Sequence, residues 1–243
     1  MSSPLFLVES LPATDEWLLD GPEGHHAANV QRLTTGEELI LADGRGGTAL
    51  AVVLASGKGN LTIKITSRGY AERPDPRLVV VQGLPKGDRG ELAVQAMTEV
   101  GVDEIIPWSA SRSVTVWKGE RAARARDKWA ATAREAAKQA RRPWLPDVAP
   151  GALSTAKIAD RVRGEAAALV LYEEATDRLT GVPLPTAGEI ILVVGPEGGI
   201  APAELDAFVD AGARPVRLGP EVLRTSTAGV AALSVLATRL GRW

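Results

Sequence analysis

Two short stretches near the end of the chain carry residue types from which a ligand pocket or an active site can be built. They are VVGPEGGIAPAEL at residues 193–205 and LGPEVLRTSTAG at residues 218–229. In the first, Gly195, Gly198 and Gly199 free the backbone for positive φ and for close approach to a bound molecule. Glu197 stands among them, and Pro202 suits the first turn of a following helix. The glycines match neither the dinucleotide pattern G-x-G-x-x-G nor the P-loop pattern, so a tight strand-to-helix turn and a backbone-lined ligand loop both remain open. In the second stretch, Arg224 offers a permanently charged fork of donors. Thr225, Ser226 and Thr227 precede a long apolar run. That pattern allows a serine nucleophile, an anion clamp or a helix start whose hydroxyls accept backbone N–H bonds. Ser226 lies outside any G-x-S-x-G elbow, and the two histidines, His25 and His26, sit near the other end of the chain. Both facts argue against a hydrolase triad. There is no cysteine, which removes disulfides, thiolate metal sites and cysteine nucleophiles. The adjacent histidines have no metal-ligand spacing, so no metal is expected.

The net charge is −2, yet residues 121–142 hold eight basic and two acidic side chains. A concentrated basic segment on an otherwise acidic chain reads as an anion-binding face or as a solvated helix face. Trp129 and Trp144 are available to stack on bases or to pack in a core. No apolar run approaches the roughly 20 residues of a membrane span. The first ten residues lack a basic n-region and meet Glu9 early, a poor signal peptide. A cytoplasmic protein without membrane contact is expected.

The elements that must position these residues change character along the chain. Residues 38–66 read as short alternating strands, with DGRGG at 43–47 as a hairpin turn, which suggests a small barrel. YAERPDPR at 70–77 reads as a linker. Strands and helices then alternate. RLVVVQGL leads to a helix capped by Asp88 and ended by Gly101; DEIIPW is a strand; a basic helix spans 121–142 and stops at Pro143. ALVLYEE, EIILVVGPEGG and RPVRLGP are further strands, with helices after the last two. Near-continuous apolar strands between helices predict a parallel sheet covered on both faces, with ligands beyond the carboxyl ends of its strands.

GPEGG followed by RLGPEVLRTSTA, with LPKGDRGELAVQAMTEVGV, EAAKQARRPWLP and GHHAANVQRL upstream, resembles the RsmE family of 16S ribosomal RNA uridine-N3 methyltransferases, members of the SPOUT class. The resemblance implies an α/β fold: a small PUA-like β-barrel over residues 1–70, a linker over 71–77, and a SPOUT-type α/β domain with a C-terminal trefoil knot over 78–243. It implies S-adenosyl-L-methionine as cofactor, a homodimer with each site near the subunit interface, and 16S ribosomal RNA or the small ribosomal subunit as partner. Carried over by position, the cofactor residues are Leu171, Glu173, Gly195, Pro196, Glu197, Gly198, Gly199, Leu218, Gly219, Val222, Leu223, Thr225, Ser226 and Ala228. The RNA-facing residues are His25, Arg32, Lys86, Arg89, Arg112, Gln139 and Arg142. Arg224 is expected to stabilise charge on the uracil oxygens, with carboxylate pairing to Glu221 or Glu197 as its structural alternative. The acceptor of the N3 proton is left open between Glu197 and bulk water, and Glu197 has loop anchoring as its alternative role. Where the family commonly has a glutamate after L-R-T, this chain has Ser226, and Ala96 stands where a lysine is common. Ribose 2′-O-methylation and a non-catalytic PUA-type RNA-binding role are the competing functions.

Overall fold

The computed structural model describes residues 3–243. The chain forms two compact units: one holds the residues up to Arg73 together with Ala137–Leu145, the other Pro74–Ala136 and Pro146–Trp243.

The first unit is a five-stranded sheet of β1 (Leu5–Leu7), β2 (Glu16–Leu19), β3 (Glu38–Ala42), β4 (Gly47–Ser56) and β5 (Leu61–Tyr70), in the order β1-β3-β4-β5-β2. Only the β1–β3 pair is parallel. Period-two alternation turns Ala49, Ala51 and Val53 of β4 and Leu61, Ile63 and Ile65 of β5 into one core with Phe6, Leu19, Leu39 and Leu41, as alternation dictates when one face is buried. The DGRGG turn forms as its composition predicts. The Asp43 carboxylate accepts from the Arg45 and Gly47 amides at 2.7 and 3.0 Å, while Gly44 and Gly46 take φ of 73° and 96°. Helix α1 (Gly21–His25) and a π-helical turn, His26–Val30, follow β2. Lys138 is buried in this unit, where it pairs with Glu23 at 2.8 Å.

The second unit is a six-stranded, all-parallel sheet: β6 (Arg77–Gly83), β7 (Glu104–Trp108), β8 (Asp147–Val148), β9 (Ala167–Leu171), β10 (Glu189–Val194) and β11 (Arg214–Val216), in the order β11-β9-β10-β6-β7-β8. Odd and even positions of each strand feed opposite cores. Leu78, Val80, Ile190, Leu192 and Val194 face α2 (Arg89–Glu99) and α6 (Thr225–Arg239). Val79, Val81, Ile191 and Val193 face α4 (Thr155–Val162) and α5 (Pro202–Asp210). This double covering explains why the strands read as unbroken apolar runs. At the amino ends of the strands, Arg77 bridges Glu189 at 2.7 Å, Asp147 at 3.1 Å and Glu104 at 3.7 Å, and Arg161 also pairs with Glu189. Burial holds the Glu104 carboxyl above its ordinary range, against the lowering pull of Arg161 and Arg77.

Several local expectations change. The basic helix, α3, is Glu120–Gln139. It ends before Pro143 because Arg141 turns left-handed (φ 53°) and the Arg142 amide closes back onto the Ala137 carbonyl. Asp88 occupies the N-cap position of α2, but at φ −84° and ψ 1° its side chain makes no capping hydrogen bond. Trp129 is a core residue, edge-on to Trp117 at 5.0 Å. Trp144 packs edge-on against Tyr70 and under Arg73.

Candidate functional site

Three loops at the carboxyl ends of neighbouring strands β9, β10 and β11 meet around one cavity of about 810 Å³. Leu171, Tyr172, Glu173 and Glu174 come from the first loop, Gly195–Ile200 from the second, and Arg217–Leu218–Gly219 with residues 221–224 from the third. Thr225 and Ala228 of α6 close the floor. Parallel strands place their carboxyl ends at one edge of the sheet, so the meeting of these loops is a consequence of topology. Of the residues expected to hold a cofactor, all but Ser226 line this cavity. Ser226 is buried in the first turn of α6.

The glycine-bearing loop is clamped from several sides. The Thr225 hydroxyl donates to the Gly195 carbonyl at 2.7 Å and accepts from Gln82 Nε2 at 3.0 Å. The three hydroxyls at residues 225–227 therefore do not cap α6: Arg224 is its N-cap residue, and Thr225 instead ties the helix start to the loop after β10. A Cβ on Gly83 would stand 2.6 Å from the Pro196 nitrogen, so the end of β6 approaches the loop as closely as backbone can. Gly199 takes φ 72°, a turn that a side chain would strain.

Glu197 accepts from the Lys86 amide at 3.1 Å and pairs with Arg89 at 3.2 Å. Partial burial works against its charge, but the Lys86 amide, its own amide and Arg89 outweigh it and hold the carboxyl below its ordinary range. Arg224 does not pair with Glu197 or Glu221. Its guanidinium makes no ion pair or hydrogen bond among the described residues, and the side chain is exposed at the cavity wall. The Tyr172 hydroxyl donates to Glu174 at 3.0 Å, which holds its proton on.

The RNA-facing candidates divide between the units. Arg89 and Arg112 line the cavity, and Lys86 is exposed beside Glu197. Arg112 reaches the Gly198 carbonyl at 3.4 Å. His25, Arg32, Gln139 and Arg142 belong to the first unit. There His25 and Arg32 are exposed, and Gln139 lines a second cavity of about 620 Å³ with His26, Lys138 and Arg141. Sequence reasoning missed Gln82, Gly83, Glu204, Arg217 and Glu174. Gln82 left one signal, a polar residue at the end of an apolar run; the others left none.

Residues 72–237 match the family model described as an RNA methyltransferase domain, and residues 19–66 match the RNA methyltransferase PUA domain. Ribosomal RNA small subunit methyltransferase E of Mycobacterium bovis is 47% identical over 248 residues, covering 100% of this chain and 94% of the relative. The protein of the same name from Bacillus subtilis is 30% identical, covering 90% and 88%. The chain belongs to the ribosomal RNA small subunit methyltransferase E family. A member from Neisseria gonorrhoeae, solved bound to S-adenosyl methionine, superposes with a TM-score of 0.85 at 26% identity over 98% of each chain. The PUA match takes in β3, β4 and most of β5 of the five-stranded sheet, and the methyltransferase match spans the parallel sheet with its cavity.

Proposed function

We propose that this chain transfers a methyl group from S-adenosyl-L-methionine to N3 of a uridine in 16S ribosomal RNA of the small ribosomal subunit. The observation that carries this reading is the single cavity where the loops after β9, β10 and β11 converge, with the unpaired Arg224 on its wall. Its size is within the range of cofactor pockets. Its lining suits the cofactor's parts: Leu171, Val216, Leu218 and Ala228 offer apolar surface for a base, loop backbone offers donors and acceptors, and Glu173, Glu174 and Glu221 offer anionic partners for hydroxyls and cationic centres. When bound there, S-adenosylmethionine supplies an electrophilic methyl group. Arg112 and Lys86 at the rim suit phosphate contacts, together with the exposed arginines of α3. Uracil N3 takes part in base pairing, so the target base must leave its helix to be reached. Arg224, permanently protonated and uncommitted, is then free to donate to uracil oxygens as charge builds on them. Glu197 already accepts two hydrogen bonds, which lower its basicity and favour loop anchoring over proton abstraction; the N3 proton then goes to solvent water, and the methyl carbon would part from sulfur as it joins N3, leaving a neutral thioether.

The domain boundaries are proposals of the same kind: an RNA-binding PUA-like unit over residues 1–70, a linker over 71–77 whose last residue already opens β6, and a methyltransferase unit over 78–243 that lends Ala137–Leu145 to the first compact unit. The trefoil knot of the family is supported by the segment after β9. Leu179 and Val182 there join the α6 face of the core, and their carbonyls accept from Arg239 of that helix. A homodimer is supported by exposed apolar side chains, Val222 of the cavity lining at 77% exposure and Val114, two residues beyond Arg112, at 73%. Among the described residues no helix is long and apolar enough to cross a membrane; a cytoplasmic location goes with the ribosomal substrate.

The test incubates the protein with S-adenosylmethionine and either naked 16S RNA or small subunits, then digests the RNA to nucleosides for mass spectrometry. N3-methyluridine is the expected product. A ribose-methylated nucleoside would assign 2′-O chemistry instead, and no cofactor binding at millimolar concentration would leave only an RNA-binding role.

A further inference from the structure

Glu204 is a carboxylate with only 7% of its surface exposed, at the third position of α5. Three donors converge on it. Oε1 accepts from the Ser111 amide at 2.8 Å and from the Thr155 hydroxyl at 3.0 Å, and Oε2 accepts from the Ala201 amide at 3.2 Å. Thr155 in turn accepts from Trp108 Nε1 at 3.1 Å, so the chain of hydrogen bonds reaches the end of β7. Each contact belongs to a different segment. Ala201 ends the glycine-bearing loop, Ser111 precedes the rim residue Arg112, and Thr155 opens α4.

Helix capping alone does not require this arrangement. Ala201 has no side-chain oxygen, so only the half of a capping box that runs from Glu204 back to the N-cap amide exists. The other two contacts leave α5 altogether. The Ser111 contact also fixes the place of the next residue. Arg112 presses its backbone oxygen and Cβ against Gly198, each 2.9 Å from where a Gly198 Cβ would stand, and extends its guanidinium over the Gly198 carbonyl. One buried anion thus sets the spacing between the loop that walls the cavity and the arginine at its rim.

We propose that Glu204 is a positioning residue that locks the Gly195–Gly199 loop to the Ser111–Arg112 segment and thereby sets cofactor affinity. The inference rests on the methyltransferase reading of the cavity. All three partners are donors, so only an acceptor at both oxygens satisfies them. An amide at this position turns an NH₂ group towards an N–H or O–H and leaves a buried donor unmade.

The experiment compares the full-length wild type with Glu204→Gln, Thr155→Val and Thr155→Ser. Calorimetry measures S-adenosylmethionine binding, and amide hydrogen exchange is followed across residues 109–113 and 195–201. Wild-type binding is the control: if it is absent, the cofactor reading fails, whatever Glu204 does. With binding present, E204Q is expected to weaken it about tenfold or more and to speed exchange in both segments. T155V should shift both readouts in the same direction by less, and T155S, which keeps the hydroxyl, should restore wild-type values. If E204Q does not fold, the threonine pair decides alone. Folded E204Q with wild-type affinity, or T155V indistinguishable from T155S in exchange, overturns the proposal.

Discussion

Arg224 and Glu197 are both charged residues on loops of one cavity, but their surroundings assign them different work. The Arg224 guanidinium is uncommitted, whereas Glu197 is held by the Lys86 amide and Arg89. Replacing Arg224 with Ala is expected to remove turnover while calorimetric binding of S-adenosylmethionine stays within a few-fold of wild type; turnover surviving within a few-fold would show that the residue does not act on the transition state. For Glu197 the expectation concerns pH. Its folded-state pKa is depressed, so its contribution to stability is present above the ordinary carboxylate range and is lost as pH falls through the depressed value. The melting temperature of Glu197→Gln should therefore lie below wild type at neutral pH, with the gap closing on acidification. A gap independent of pH would count against the anchoring role. Residue types drew attention to both positions but left a tight turn or a helix start equally open, and the family resemblance gave each its expected role. Glu204 was not legible, and Gln82 left only its place at the end of an apolar run. Gln82 meets Thr225 across 143 positions and Glu204 meets Ser111 across 93, and nothing local marks either partner.

At the scale of elements, hydrophobic patterning was enough to locate β6, β7, β9, β10 and β11 and the helices that follow them, because a doubly covered parallel strand must be apolar throughout. It missed β1, β2, β8, α1 with the π-helical turn after it, and α4. These are short, from two to eight residues, and β1 and β8 hold their places by pairing with neighbours rather than by a pattern of their own. The cap at Asp88 failed for a related reason. Residue type permits a cap, but the backbone angles entering α2 decide whether the carboxylate can reach. The close approach of β6 to the glycine-bearing loop offers a sharp test. Gly83→Ala adds one methyl at 2.6 Å from a backbone nitrogen, which cannot move aside as a side-chain tip can. We expect cofactor affinity to fall about tenfold, with overpacking costing about 1–3 kcal/mol of stability. Unchanged affinity on calorimetry would mean that the loop tolerates displacement.

At the scale of the whole molecule, the strand order β11-β9-β10-β6-β7-β8 was beyond reach of the sequence. Periodicity identifies strands but says nothing of which ones lie side by side, and the resemblance to a known family gave a fold class without an order. The end of the described chain is tied into this order. Arg242 reaches the buried Asp103 at 3.3 Å and the Gly101 and Pro76 carbonyls, near the start of β6. Arg242→Ala leaves that carboxylate without its guanidinium and should cost about 3 kcal/mol, read from urea denaturation of the second unit; a loss below about 1 kcal/mol would mean the tail is not a fastening. The amino ends of the same strands carry the Arg77–Glu189–Asp147–Glu104 ion network, while the carboxyl ends carry the cavity. The seven residues of β6 between them span roughly 20 Å, beyond the range over which substitutions interfere with one another. An engineer can therefore treat the two rims as separate dials: changes at the lower one should shift melting temperature and leave cofactor binding alone, changes at the upper one should shift cofactor binding and turnover whatever they do to stability, and the two sets should combine by simple addition in a double-mutant cycle.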